Sequence, residues 1–449
     1  MARGKKAAKE LTPEEKLQQA LVPVEEQPYP IPENWCWIKL SNVIELVSGR
    51  DVPLTDCNSE GIGIPYILGA SNIENNTFTV ERWIETPQII SNKGNILLSV
   101  KGTIGKLYIQ QEEQINISRQ IMAIQPLEVL NSKLVYLFLL LVCDELREAG
   151  NGLIPGISRA DILDKAFPFV PFSEQTRIVS RIESLFAKLG EAKEKAQAVV
   201  DGFERRKSAI LHKAFTGELT ERWRKEYGVG MDSWKMVSFN DCIQKMQNGL
   251  AKRSGSIGES YVVLRLANLS EDGFDTNDLR EILLDEKEQE TYSLLENDVI
   301  MIRVNGSKDN VGRQLLVPDV KKWAFCDHII RIRYQNNVLP NYMVLFSKSD
   351  NYRTYVKDHM VSSAGQNTIS RKGMANMAVP IPECDEQREI VRTLSVLFSK
   401  EQQAKEAAEA VLSQIDTMKK AILARAFRGE LGTNDPAEES AAELIKTVL

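Results

Sequence analysis

Two stretches of the chain carry apolar residues at spacings that alternate between four and three. The first runs Ile178, Ile182, Leu185, Leu189, Ala192, Ala196, Val199, Phe203; the second runs Ile390, Leu394, Leu397, Glu401, Ala404, Ala408, Val411, Ile415. A recurrence of 3.5 residues is the seam of a coiled coil, and it predicts two long helices. Ser173 and Asp385 are placed as N-caps, and Gly217 and Gly429 stand where a helix stops in a left-handed residue. Each helix should then be about 40 residues, roughly 60 Å at 1.5 Å per residue. An ordinary globular core needs no helices of that length. They most simply pack on each other, antiparallel because a whole domain connects them, with Ile178, Ile182, Leu185, Leu189, Val199 and Phe203 facing Ile390, Leu394, Leu397, Val411 and Ile415. The alternative is that each helix pairs with a different molecule.

The segments before each helix follow another pattern, short β-branched runs separated by turns. Pro65-Tyr-Ile-Leu, Asn95-Ile-Leu-Leu-Ser-Val and Tyr108-Ile lie in the first half. Tyr261-Val-Val-Leu-Arg-Leu, Asp298-Val-Ile-Met-Ile-Arg-Val and Gln314-Leu-Leu-Val lie in the second. These read as strands of two mixed α+β domains of roughly 150 residues each. The two halves are one unit written twice. Ile157-Ser-Arg returns as Ile369-Ser-Arg, and the same offset then holds without a gap to Leu219 and Leu431. Glu174-Gln175 matches Glu386-Gln387, and Gly217-Glu-Leu matches Gly429-Glu-Leu. The globular parts diverge more, yet Trp35 corresponds to Trp234, Asn72-Ile73 to Asn268-Leu269, and the strand after Gly94 to that after Asn297. Similar helices with dissimilar globular parts suggest one framework holding two different readers. The expected boundaries are an N-terminal arm or tail at 1–30, a first domain at 31–172, helical residues 173–222, a second domain at 223–384, a second helical region at 385–431, and a tail at 432–449.

Composition narrows the chemistry. The basic start of the chain is followed by polar sequence, which is no secretory signal, and the longest apolar run, Leu134 to Cys143, is too short to span a bilayer. Six cysteines without a CxxC pair and three histidines offer neither zinc spacing nor a disulfide framework; a reducing cytoplasm fits. A formal charge of −6 argues against a uniformly basic DNA binder. The charge is uneven, however: Glu271 to Glu290 is rich in acids, and Arg303 to Arg333 is rich in bases.

A set of phrases in order gives the family. Pro32-Glu-Asn-Trp35, Asn95-Ile-Leu-Leu-Ser-Val-Lys-Gly-Thr-Ile-Gly105, Ile369-Ser-Arg before Pro380-Ile-Pro, Asp385-Glu-Gln-Arg-Glu-Ile-Val and Ala421-Ile-Leu-Ala-Arg-Ala-Phe-Arg-Gly-Glu-Leu431 together resemble the DNA specificity subunit of type I restriction-modification enzymes. The resemblance covers residues 30 to 431. It implies two target-recognition domains, each reading one half of a bipartite, asymmetric site in double-stranded DNA, and two helical regions that set the gap. It implies two methyltransferase subunits as partners, which use S-adenosylmethionine to methylate adenine. Two restriction subunits, with ATP and Mg, join in some members.

The chain itself lacks the parts of an enzyme. There is no Asn-Pro-Pro-Tyr or Asp-Pro-Pro-Tyr, and no GxxxxGK[ST]; Gly102-Thr-Ile-Gly105-Lys106 has the wrong spacing for a phosphate loop and reads as a hairpin turn. We therefore expect no catalytic residue, no metal and no cofactor bound by this chain. Base edges and phosphates want Arg, Lys, Asn, Gln and hydroxyls. The candidate DNA contacts are Arg50, Lys101, Thr103, Lys106, Arg119 and Gln120 in the first domain. In the second they are Lys252, Arg253, Arg265, Arg303, Asn305, Lys308, Arg313 and His328. Two other classes compete: a self-contained DNA-modifying enzyme, and a coiled-coil scaffold without nucleic acid.

Overall fold

The computed structural model describes residues 12–149, 156–270, 273–319 and 321–449. The basic N-terminus at 1–11 and Glu271, where the acidic stretch begins, lie outside them. The chain forms two compact units, Met1–Lys195 with Val411–Leu449, and Ala196–Ala410. The boundaries fall inside the long helices rather than at their ends. Each unit contains one globular domain, the start of the helix that follows it, and the end of the other helix.

The two domains share a sheet order. In the first unit an antiparallel sheet runs Leu107–Ile109, Ile96–Ser99, Ile121–Pro126, Ile44–Ser48; in the second it runs Gln314–Leu316, Val299–Ile302, Ile329–Tyr334, Ile243–Asn248. The strands Ile96–Ser99 and Val299–Ile302 are buried at every position, which is why they read as unbroken apolar runs. Each follows a turn in the left-handed region, at Gly94 (φ +88°) and Asn297 (φ +67°). A second sheet in each domain holds one parallel pair, Ile64–Ile67 with Gln114–Ile117 and Glu259–Leu264 with Trp323–Phe325. The apolar run at Leu134 lies in the helix Ser132–Ala149, whose inner face joins the first unit's core.

The first long helix is Phe172–Asp201, continued after Gly202 by Phe203–Phe215; the second is Cys384–Phe427. Both begin one residue before the expected caps. Ser173 and Asp385 lie inside the first turn, and their side chains bond Glu438 and Arg388 instead of capping. The expected stops hold, with Gly217 at φ +85° and Gly429 at φ +75°.

Within each unit the two helices pair antiparallel. In the second unit Arg206 Nε donates to Glu401 Oε2 at 2.8 Å, Lys405 lies 4.8 Å above the Phe203 ring, and Lys207 lies 5.9 Å from that of Phe398. As one position rises the partner falls. Leu211, Ala214 and Phe215 share a core with Ile390 and Leu394. In the first unit Ile178 and Ile182 share a core with Leu423, Ala426 and Phe427, and Lys419 lies 5.8 Å from the Phe186 ring. Phe203 and Ile415 are buried, and Leu185, Leu189, Val199 and Leu397 are half-buried. Val411 departs from the expected seam: it is exposed, and Leu412 beside it turns inward. A strict seven-residue repeat drifts around a straight helix, so the seam is not kept along its whole length.

The helix starts are fastened by buried side chains. Gln175 Nε2 donates to the carbonyls of Val129 (3.0 Å) and Val170 (3.2 Å), and its Oε1 accepts from Asn131 N at 2.8 Å. Gln387 repeats this with Asn337, Pro382 and Leu339 N, each at 2.8 Å. Glu174 accepts from Trp35 Nε1 at 2.7 Å, Asn434 at 2.9 Å and Thr433 at 3.1 Å. Glu386 accepts from Trp234 Nε1 at 3.0 Å, Thr220 at 2.6 Å and Arg224 at 2.5 Å.

The arm or tail expected at 1–30 and the tail expected at 432–449 each carry a short helix. Helix Pro13–Ala20, with a Thr12–Glu15 capping box, buries Leu17 and Ala20. Residues 432–449 carry helix Ala441–Lys446, capped by Ser440, with Ala441 and Ile445 in the first unit's core. Arg177 clamps Glu438 at 2.7 and 2.8 Å, and with Ser173 holds its carboxyl down to about 2. A short segment needs only two apolar residues one turn apart to dock, too weak a pattern to stand out in the sequence.

Removing one partner of a buried ion pair strands the other charge. Arg224→Ala should therefore destabilise the second unit by about 3–5 kcal/mol, read as an earlier transition in urea by tryptophan fluorescence. Lys133→Ala, which removes an exposed pair with Glu183, should leave the midpoint nearly unchanged.

Candidate nucleic-acid interface

The first domain's candidates gather on loops that the sheets bring together. Arg50 follows the strand Ile44–Ser48, and its N–H donates to Ile117 O at 3.0 Å. Gly49 packs so closely under this crossing that an added Cβ would lie 2.1 Å from Ser118 O. On the next loop Arg119 pairs with Asp51 at 2.7 Å. Gln120 O accepts from Val100 N at 2.8 Å, which ties the loop to the Lys101–Lys106 hairpin turn. Inside that turn Ser99 Oγ donates to Thr103 O at 2.7 Å and accepts from Lys106 N at 2.8 Å. Arg50, Lys101, Thr103, Arg119 and Gln120 are all exposed there, and Lys106 is half-buried at the base.

The second domain builds the same crossing from different residues. Leu250 N donates to Phe325 O at 2.9 Å, and a Cβ on Gly249 would lie 2.1 Å from Cys326 O. His328 O accepts from Arg303 N at 2.8 Å, as Gln120 O does from Val100. Ile369 N donates to Arg303 O at 3.0 Å, as Ile157 N does to Val100 O. Ile302 N donates to Arg313 O as Ser99 N donates to Lys106 O. Asn72 and Asn268, both buried, each accept from the backbone N–H three residues earlier, of Gly69 (3.3 Å) and Arg265 (3.0 Å). These matches align Gln120 with His328, Lys106 with Arg313, and Gly69 with Arg265.

The chemistry on this shared scaffold is exchanged. The crossing ion pair is Asp51 with Arg119 in the first domain and Arg253 with Asp327, at 3.4 Å, in the second. Arg253, Arg265, Arg280 and His328 line a cavity of about 590 Å³. The acidic stretch is close by: Lys252 pairs with Glu288, and Arg265 with Asp278 at 2.9 Å. Among the described residues, the acids of the Glu271–Glu290 stretch thus pair with bases that lie before it in the sequence, not with those of Arg303–Arg333. Arg303 reaches Asp327 O at 3.2 Å, and Asn305 Oδ1 accepts from Ser307 N at 2.8 Å while Lys308 stays exposed. Arg313 lies apart from this cavity, in a groove along the helix Phe203–Phe215, where it bonds Asn310 and Leu269 O.

Cys326, Asp327 and His328 bring three metal-type donor atoms within 4.8 Å. They are consecutive residues, Asp327 already pairs with Arg253, and the neighbouring guanidiniums oppose a cation. Burial also pushes the Cys326 thiol up, away from the thiolate that binds metal.

Two residues were missed from sequence. Arg159 donates to Ser48 Oγ at 3.2 Å beside the first cluster; it lies in the repeated Ile-Ser-Arg phrase, which reads as framework. Arg280 was hidden by its acidic neighbours.

Known proteins share both the sequence and the architecture. A family model described as "Type I restriction modification DNA specificity domain" matches residues 32–199 and again 232–410. The specificity subunit of the type I restriction enzyme StySPI of Salmonella potsdam is 31% identical over 293 residues, 63% of this chain and 62% of that protein. The EcoKI specificity subunit of Escherichia coli K12 is 28% identical over 291 residues, with the same coverage. The matched region thus spans less than two thirds of these relatives. The crystal structure of the HsdS subunit from Thermoanaerobacter tengcongensis superposes with a TM-score of 0.65 at 16% identity, over 91% of this chain and all of that one. A chain from a structural study of type I restriction-modification complex assembly and conformational transition gives 0.59 at 16% identity, over 90% of this chain and all of that one. With the family model matched twice, once on each globular domain and its following helix, this chain belongs to the type I restriction-modification DNA specificity family.

Proposed function

We propose that the chain is the sequence-reading subunit of a type I restriction-modification complex, in which each domain reads one half of a bipartite, asymmetric site in double-stranded DNA. One observation carries the reading. The same loop crossing occurs twice, held by the same backbone hydrogen bonds, and displays different polar side chains each time. A duplicated scaffold with exchanged tips suits two half-sites of different sequence. Phosphate contacts would set register, and the tips would read base edges.

In this reading the chain carries no catalytic centre. Two methyltransferase subunits bring S-adenosylmethionine and the pocket that a flipped adenine needs. Restriction subunits with ATP and Mg add cleavage where they join, and the complex works in the cytoplasm. The duplicated helix starts offer two near-equivalent docking surfaces, so the saturated complex should hold two copies of one partner per chain. Native mass spectrometry of the complex checks this, and a one-to-one limit would contradict it. A self-contained enzyme would instead transfer labelled methyl groups to DNA without partners.

The domains should act separately. Arg303→Ala or Lys308→Ala should weaken one half-site only, and Lys101→Ala or Lys106→Ala the other. A lost base contact costs about 1–3 kcal/mol and relaxes one position, whereas a lost phosphate contact weakens all sequences alike. Selection of the assembled complex on a randomised library reads both; changes in both halves from one substitution would contradict the assignment.

The helices should set the gap. Phe186 lies near Lys419, so Leu189 faces the segment around Asp416. Four residues added at each of these places keep the two helices matched and lengthen the pair by about 6 Å. The recognised gap should grow by about one or two base pairs at roughly 3.4 Å each, with both half-sites unchanged. An active double insertion with the original gap would show that the helices do not measure it.

A further inference from the structure

The cavity of the second domain carries chemistry that the same place in the first domain lacks. Three guanidiniums, from Arg253, Arg265 and Arg280, converge with His328 on about 590 Å³. They come from three different segments, so the convergence is made by the fold. The first domain keeps an arginine at a neighbouring strand edge, Arg82, whose carbonyl accepts from Tyr66 N as that of Arg280 accepts from Val263 N. It has Gly69 where Arg265 stands and Gln120 where His328 stands. A Cβ on Gly69 would lie 2.5 Å from Gln120 Oε1, so the Gln120 amide fills the space that Arg265 takes in the other copy.

The state of each guanidinium suits it to a ligand. Among the described residues Arg280 makes no side-chain hydrogen bond or ion pair. Arg253 is more than half exposed and reaches Asp327 only at 3.4 Å. One terminal nitrogen of Arg265 is fixed on Asp278, through its carbonyl at 2.7 Å and its carboxylate at 2.9 Å. This aims the guanidinium, while its other terminal nitrogen makes no hydrogen bond among the described residues. Asp327 and Asp278 stand beside the cavity and offset much of its positive charge. A strongly basic cleft would serve phosphate; a cleft whose arginines are already half-neutralised favours a neutral edge with paired acceptors. In duplex DNA that edge is the O6 and N7 of guanine, which an arginine fork meets with two hydrogen bonds.

We propose that this cavity reads guanine, and that the half-site of the second domain therefore contains at least one fixed G·C pair contacted by Arg265 or Arg280. The inference rests on the reading of the chain as a two-domain DNA reader and adds the base class that one domain selects.

The test uses the chain assembled with its methyltransferase subunits and a duplex library randomised across both half-sites. The wild-type complex should select an invariant G·C pair in the half-site that Arg303→Ala perturbs. Arg265→Lys and Arg280→Lys keep the charge and lose the fork. At least one of them should cut discrimination at that pair by about tenfold to a hundredfold, with the salt dependence of affinity and the other half-site unchanged. Arg253→Lys, at the more exposed position, supplies an independent variant, and thermal melts confirm that each is folded. A second half-site without an invariant G·C pair would overturn the proposal. So would lysine variants that all keep the discrimination, or that weaken every sequence equally, since charge alone serves a phosphate. A wild-type complex with no sequence preference in either half would instead remove the two-reader function beneath it.

Discussion

Everything in this protein hangs on two buried side-chain pairs, Glu174-Gln175 and Glu386-Gln387, at the starts of the long helices. A carboxylate out of water is costly unless its oxygens are filled. Here they are filled by the tryptophan that opens the domain and by residues beyond the end of the other helix. Each glutamate thus joins a domain's beginning, its following helix and the returning helix at one point. The glutamine beside it uses both ends of its amide on backbone groups of the preceding loops. Few other residue types could replace these four without leaving buried donors or acceptors empty. That explains why this part of the repeat is spelled nearly alike in both halves.

Because the anchors sit in the framework, the loops at the backbone crossings are released from structural duty. Their positions are fixed by main-chain hydrogen bonds, with glycines at 49 and 249 where two strands of backbone cross too closely for a Cβ. Their side chains can then change. The two copies show how far: the crossing ion pair reverses polarity, a glycine stands for an arginine, and a glutamine for a histidine. The two anchors are not identical either. Glu386 has a buried arginine partner in Arg224, whereas Glu174 is met by an indole, an amide and a hydroxyl.

The C-terminal segment gives the first unit part of its closure. Thr433 and Asn434 complete the shell of Glu174, Glu438 is clamped by Arg177, and Ile445 is buried in the core. Helix Pro13–Ala20 meets the same region, with Lys16 Nζ donating to Leu449 O at 2.7 Å. Segments at the two ends of the sequence therefore stabilise one domain together.

The sequence by itself determined the duplication, the two long helices, their left-handed stops and the strand runs, because these rest on local periodicity and on residues repeated at a constant offset. It also showed Trp35 and Trp234, and Asn72 and Asn268, as landmarks before any contact was known. It did not disclose what those landmarks do, since an indole bonded to a glutamate far along the chain leaves no local pattern. The docking of residues 432–449, the exposure of Val411 and the start of the helices ahead of Ser173 and Asp385 were decided by tertiary packing, which overrides weak local preferences. The site followed the same division. The types of residue suited to DNA could be named from their chemistry, but their grouping could not. Arg253, Arg265 and Arg280 stand on separate segments and meet only because the strand Glu259–Leu264 pairs antiparallel with Glu281–Leu284 and parallel with Trp323–Phe325, while the backbone crossing at Gly249 brings in the segment of Arg253. Arg313 and Lys252, chosen on the same chemical grounds, were turned elsewhere by Asn310 and Glu288.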